Sequence, residues 1–494
     1  MNKELRKAIS DEIHRRHGYR FMEAKIKPVH IANSLMRTEH QCVGRMSVLE
    51  QLFAATLNRN TLDERVSAAQ AMLDGQRDRW GRLGETDDLK SSVLMTKVLP
   101  LIRTLLGADG AAFGSSPEWS SFSSPTALTV TTDASDDGAG AFVHHLWTGV
   151  SQGERLEILD VLNQLTAPEK DASQLDDLSA LLVPLVEDTR KKVPQPIVAE
   201  DVSISYSPVE NSLRASARSL AAYEQKLKPN PIATLQRIVL LAALSVFMHA
   251  STRPRERYKG EEHILLLDAT GNRYSNVADA STRCVAQLIS DARLYMAHVL
   301  RDLMRAQITD WHLRPVDALN SLLETGGHAP IDAKNKIVDR LQDILDEAAP
   351  ADCEREVAEE IVRSVEGSSG RGFDGYLRLL GVRSGLLYPQ QKNPNKRLVP
   401  TDRTLEVLVA SSVDVNAPPL EYRDFLQVLH QRWSIVVGGG SSDGALLAKI
   451  GAHVPARELS ENSERFLSRL ESIGLARRLA DSVAVVGLLE DSYE

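Results

Sequence analysis

The sequence predicts a mainly α, multi-domain protein with a small mixed sheet in the middle. Three observations predict it. Aromatic residues make up only 5% of the chain, so Ala and Leu carry most of the apolar load, which favours helix over sheet. Apolar residues recur at helical spacing along most of the chain, whereas strand-like runs are few and short. At 494 residues the chain is too long for one ordinary core, so two to four domains are expected.

The charge balance of 58 Lys and Arg against 67 Asp and Glu gives −9, which excludes a protein that coats nucleic acid indiscriminately. Three isolated cysteines, without CxxC or HExxH, argue against a zinc site or a disulfide framework, and no metal or other cofactor is expected. The charged N-terminus has no apolar core of a signal peptide, and the longest apolar run, residues 238–248, is short of the roughly 20 residues of a membrane span. A soluble, cytoplasmic protein without a membrane partner is the expectation.

Residues 1–107 read as an N-terminal helical domain, with Val43, Met46, Leu49, Leu52, Phe53 and Leu57 on one helical stripe. The first 30 residues hold eight Lys and Arg against four Asp and Glu, an arm able to touch nucleic acid or an acidic partner, and His14 and His17 sit three apart in it. Residues 108–126 are rich in Gly, Ser and Pro and read as a linker. Residues 127–366 form a central, mostly helical domain with a few short strands. Residues 127–142 open it as a strand on the strength of Leu128, Val130 and the neighbouring threonines. Pro231 starts a helix apolar on most faces, and residues 263–267 are the best strand, with 202–206 as a pairing partner. A long helix over 281–308 has Ser281 as its cap, and amphipathic helices with an acidic outer face fill 331–366. Residues 367–410 are a basic connecting segment.

The last segment, 411–494, is read as a helix over 422–433, a Gly-rich turn at 438–440, and a short helix over 445–450. A third helix follows from about Ser460 to Ile473, and a hairpin turns near Asp481 and Ser482. Three helices followed by a hairpin resemble a winged helix. In DNA-binding members of that superfamily the third helix enters the major groove and the hairpin touches the backbone. The resemblance implies Asn462, Arg465 and Arg469 on an exposed reading helix and Arg477 and Arg478 on the wing. Residues 421–494 hold eight Lys and Arg against 11 Asp and Glu, an acidic balance better suited to protein docking than to phosphate contact. Against that, residues 371–403 carry seven basic residues, including Lys392, Lys396, Arg397 and Arg403. They either face a phosphate backbone or form a solvated face that pairs with the acidic helices at 339–366. Residues 371–494 also resemble accessory proteins of bacterial phage-defence operons, which implies a non-catalytic subunit beside an ATPase or nuclease.

One string points to chemistry. Thr132-Asp133-Ala134-Ser135, with Gly138 and Gly140 following, is similar to the first-strand motif of ribonuclease H domains. Such enzymes gather carboxylates around two Mg²⁺ ions about 4 Å apart. Asp133, Glu154 or Glu157, and Asp268 at the end of the 263–267 strand are the candidates, set against a plain Asp/Gly loop. Two readings follow. The first is an interaction subunit of a nucleic-acid-handling complex, with protein partners and DNA as a possible contact. The second is a Mg-dependent nuclease using Asp133 and Asp268.

Overall fold

Helix α6 (Pro231–Lys259) is the axis around which the other helices pack. Pro231 fits the first helical position, and the Asn230 side chain accepts a hydrogen bond from the Ile232 N–H at 2.8 Å. From Leu235 to Ala250 nearly every side chain is buried, so the helix has no solvent face over that stretch. Among the described residues it contains the one segment, Pro231–Arg253, long and apolar enough to cross a membrane, and most of that segment is covered by other parts of the fold.

The computed structural model describes residues 2–20, 26–45, 125–127, 130, 135–149, 154–167, 187–192, 208–227, 230–259, 263–327, 329–331, 336–367, 373–391, 393–479 and 483–487. Before α6 come α1 (Asn2–His17), α2 (Pro28–His40), β1 (Cys42–Arg45), α3 (Ala139–Thr148), α4 (Glu157–Thr166), β2 (Glu187–Lys192) and α5 (Pro208–Leu227). After it come β3 (Leu265–Leu266), α7 (Asn276–Gln307), α8 (Pro315–Thr325), α9 (Lys336–Glu347), α10 (Pro350–Gly367) and α11 (Phe373–Arg383). The last part contains β4 (Leu387–Tyr388), β5 (Arg397–Leu398), α12 (Asp402–Ala410), β6 (Leu420–Glu421), α13 (Tyr422–Trp433), β7 (Ile435–Val436), α14 (Asp443–Lys449), α15 (Ala456–Ser472), β8 (Ala476–Arg478) and β9 (Ala484–Val486). The protein is mainly helical with a few small sheets, as the composition predicts.

Several polar groups on α6 are tied to its neighbours. Arg237 donates to Glu224 of α5 at 2.5 and 3.0 Å and to Glu406 of α12 at 2.8 Å. His249 Nε2 meets Glu210 at 3.1 Å, and its Nδ1 meets the Tyr19 hydroxyl at 2.8 Å. Arg253 reaches the same Glu210 oxygen at 3.1 Å. His17 pairs with the Tyr295 hydroxyl of α7 at 2.6 Å, and its ring stands edge-on to His249. His17 is thus a buried core residue, not part of a solvated basic face. Three arginines of the N-terminal arm are matched, Arg15 by Glu12, Arg16 by Glu12 and Asp302, and Arg20 by Asp11.

Several local expectations are corrected. Residues 139–142 belong to helix α3, not to a strand. Asp136 is buried and accepts the Gly140 N–H at 2.8 Å, which starts the helix, and residues 135–138 are a turn. A Cβ on Gly140 would lie 2.4 Å from the Ile31 carbonyl and 2.6 Å from Leu35 N, so the α2–α3 contact requires glycine. Val43 lies in β1, antiparallel to the charged strand β2, rather than on a helix. The cap of α7 is Ser275, which accepts from Ala278 N at 3.1 Å, so the helix begins before Ser281. Ser281 instead accepts the Leu398 N–H at 2.9 Å. β3 pairs in parallel with β7; residues 202–206 lie outside the described residues, as do 46–57 and Asp133.

Glu39 on α2 links this helix to α3 and α4. Burial raises its pKa, but hydrogen bonds from His144 at 2.8 Å and Arg155 at 2.7 Å outweigh that and hold it at about 2. A depressed carboxylate stabilises the fold above its unfolded pKa and loses that stabilisation as pH falls through the folded value. The contribution, on the order of 3 kcal/mol, therefore disappears between about pH 4.5 and about pH 2. Glu39→Gln is expected to lower stability at pH 7 and to flatten the acid limb of a urea-denaturation series. An unchanged acid limb would refute this role.

Candidate interaction surface of the C-terminal segment

The C-terminal elements fold because each has a local stop and a buried stripe. Thr401 caps α12 by accepting from Thr404 N, and Ser434 ends α13 in the left-handed region at φ 53°. Pro455 precedes α15, which starts at Ala456, one turn earlier than the sequence suggests. Leu459, Phe466, Leu467 and Leu470 of α15 point inward. β9 sits between β6 and β8 and is antiparallel to both, with Leu420 opposite Val486 and Ala476 opposite the same residue. Burial pushes the Tyr422 phenol up, and its hydroxyl donates to the Ser463 carbonyl at 2.7 Å.

This segment is joined to the helical body through residues 265–268. β3 lies parallel to β7, Leu267 bridges to Leu398, and the Asp268 N–H donates to the Leu398 carbonyl at 2.9 Å. Asn462 closes the junction. Its Nδ2 donates to the Leu267 and Val437 carbonyls, each at 2.7 Å, and its Oδ1 accepts from Ala269 N at 2.8 Å. The expectation of an exposed Asn462 is therefore corrected: it is fully buried, on the inward face of α15.

The candidate basic residues are mostly committed inside the protein. Lys396 is buried and donates to the Pro389 and Gln391 carbonyls, holding the 388–397 loop closed. Burial lowers its pKa, and Arg378 adds to the effect. Arg397 pairs with Asp268 at 2.5 Å and lies over the Tyr388 ring. Arg465 donates to the Thr270 carbonyl at 2.7 Å. Arg469 pairs with Asp402 at 2.8 Å, and Arg478 with Glu464 and Glu471. Arg403 and Arg477 are exposed, whereas Lys392 lies outside the described residues. The acidic helices do not draw on this segment in these contacts. Glu354 of α10 is held by Arg301 and Arg305 of α7, and Glu360 by Arg340 and Arg363.

Asp268, the candidate catalytic carboxylate, is 1% exposed. One oxygen meets Arg397; the other accepts from Thr270 N at 2.9 Å and from the Thr270 hydroxyl at 2.6 Å. That is a turn-forming, ion-paired carboxylate with its lone pairs already engaged. Glu154 and Glu157 lie at the start of α4, and no group of three or more His, Cys, Asp or Glu fit to hold a metal occurs among the described residues.

What the surface offers instead is apolar. Leu479 and Val483, 43% and 40% exposed, flank the tip of the β8–β9 hairpin, joined by the Leu479 N–H to the Val483 carbonyl at 2.7 Å. On α15 the outward side chains include Arg457, Glu461, Glu464 and Ser468, and Arg457 and Glu461 pair with each other at 2.8 Å. Sequence spacing alone identifies the hairpin but not its exposed apolar tip, which depends on which residues the sheet turns outward. No family model, curated protein or solved structure matches this chain.

Removing the Asn462 side chain would leave two buried carbonyls and one N–H without partners. Asn462→Ala is expected to destabilise the protein by about 3 kcal/mol or more, and Asn462→Asp by at least as much, since a carboxylate cannot donate to Leu267 and Val437. Chemical denaturation checks this; a loss below about 0.5 kcal/mol would show that the junction does not need Asn462.

Proposed function

We propose that this chain is a non-catalytic interaction subunit of a bacterial nucleic-acid-handling complex in anti-phage defence, and that its C-terminal module is a winged helix that docks protein. The order β6, α13, β7, α14, α15, β8, β9, three helices followed by a hairpin, and the sheet order β6-β9-β8 support reading the module as a winged helix. The setting rests on the resemblance of residues 371–494 to phage-defence accessory proteins, and the partner in that setting is an ATPase or nuclease.

The observation that carries docking over DNA reading is the hairpin. Its tip offers Leu479 and Val483, while Arg465, Arg469 and Arg478 are engaged by Thr270, Asp402, Glu464 and Glu471. DNA affinity comes chiefly from neutralising phosphates, and arginines already paired with carboxylates must give up those partners first. Exposed apolar residues with a polar surround are the pattern of a protein contact. The nuclease reading has less support, because Asp268 is bound by Arg397 and Thr270.

Two measurements test the proposal on the full chain. Fluorescence anisotropy with a random DNA duplex is expected to show no binding that falls steeply with salt; steep salt dependence would make the module a DNA element. A pull-down with the full chain as bait is expected to retain an ATPase or nuclease with the wild type and to lose it with the Leu479→Asp, Val483→Asp double variant. Retention by a folded double variant would remove the hairpin tip from the interface.

A further inference from the structure

A cleft of about 190 Å³ lies where the first turn of α5 meets the C-terminal end of α13, the middle of α6 and the start of the 263–268 strand segment. Leu213 and Met248 supply apolar wall, and Ser212, Thr252, His263, His430 and Arg432 supply the polar groups. Among the described residues no Asp or Glu lines it, in a protein whose net charge is −9.

Arg432 is the main cation. Its Nη1 donates to the Ser219 hydroxyl at 2.8 Å and to the Ser411 carbonyl at 2.5 Å, both neutral acceptors. Nε and Nη2 take no acceptor among the described residues. This differs from Arg237, Arg397, Arg469 and Arg478, each held by a carboxylate. Burial pushes the Arg432 guanidinium down, and the field of Asp414 offsets this only in part. A guanidinium with two open donors in a part-buried cleft is a site for an oxyanion.

Two further features agree. α5 is 20 residues long, and its first turn, at the positive end of the helix dipole, borders the cleft. Glu210 in that turn points into the core, where His249 and Arg253 hold it. The Thr252 hydroxyl is buried in the cleft wall, 5% exposed as a residue, and has no partner among the described residues. The C-terminal turn of α13 would oppose an anion through its carbonyls. Those of His430 and Gln431, however, already accept from Ser434 N at 2.8 Å and from the Ser212 hydroxyl at 3.5 Å.

We infer that this cleft binds a phosphate-class oxyanion, either the free ion or the phosphate end of a small phosphate monoester, with Arg432 as the main contact and Thr252 and His430 assisting. The inference is independent of the docking role of the hairpin. Isothermal titration of the full chain with inorganic phosphate, with sulfate, and with glycerol phosphate at fixed ionic strength tests it. Saturable one-to-one binding at millimolar concentration or below is expected for phosphate and sulfate, and not for chloride. Arg432→Met is expected to weaken it about tenfold or more. Tighter binding of glycerol phosphate than of phosphate would identify a monoester as the ligand; equal binding would identify the free ion. Because Arg432 also ties α13 to α5, circular dichroism checks that variant. His430→Gln and Thr252→Val, which remove no observed side-chain hydrogen bond, are each expected to weaken binding several-fold. Absence of saturable binding, or unchanged affinity in these variants, overturns the inference.

Discussion

Residues 265–268 lie between two segments remote in sequence, Leu398 on one side and Ile435 and Val436 on the other, and their main-chain groups are shared between them. All four residues are buried, so the backbone polar groups depend on those partners. The run then ends in Asp268, paired with Arg397, and in Ala269, whose N–H is taken by Asn462. Four stretches of chain, from the body, the 388–398 hairpin, the turn after α13 and helix α15, thus converge on one short strand. A buried ion pair such as Asp268 with Arg397 adds little net stability over an apolar pair, yet leaving either partner alone is costly. What it supplies is register: a one-residue slip of β3 would separate Asp268 from Arg397 and Asn462 from its carbonyls. The placement of the C-terminal module against the body follows from this single strand.

The helical body solves a related problem. A helix as apolar as α6 packs well against almost anything, so hydrophobic burial alone does not choose its neighbours or its rotation. The polar groups choose. Thr234 and Arg237 meet Glu224 and Glu406, while His249 and Arg253 meet Glu210 and Tyr19. Rotating α6 would leave these groups buried without partners, a larger penalty than the loss of a few apolar contacts. Among the described elements the same logic holds α2 against α3, where Gly140 permits the approach and Glu39 fixes it.

The long helices were legible because they depend on a repeating stripe that any window of sequence displays, as in α6, α7 and α13. The C-terminal hairpin was legible for the same reason, through Leu475 and the valines of β9. Single residues whose meaning depends on a distant partner were not. Asn462 sits at a position that a helical wheel assigns to a mixed face, and only β3 and β7, far away in sequence, make it internal. Lys396 and Arg397 look like surface charges until the loop and Asp268 are placed around them. Residues 139–142 read as strand because the neighbouring threonines favour it, while the Asp136 cap and the fit of Gly140 against α2, both tertiary facts, select helix.

The distribution of charge joins these strands of argument. In an acidic chain, carboxylates outnumber basic groups, and Arg397, Arg457, Arg469 and Arg478 near the C-terminal module are held by Asp or Glu of the same protein. An arginine matched in this way attracts polyanions weakly at long range, so the groups open to a partner are those that no carboxylate holds. Two such places stand out. Beside the hairpin turn Leu479 and Val483 are exposed, apolar and without need of a counter-charge. In the cleft between α5 and α13, neutral acceptors hold one edge of Arg432 and leave the other open. The tip and the cleft flank the same module, one at its free end and one where it joins the body. A ligand in the cleft would bind across α5, α6 and α13 at once, so it would stabilise the same arrangement of module and body that presents the tip.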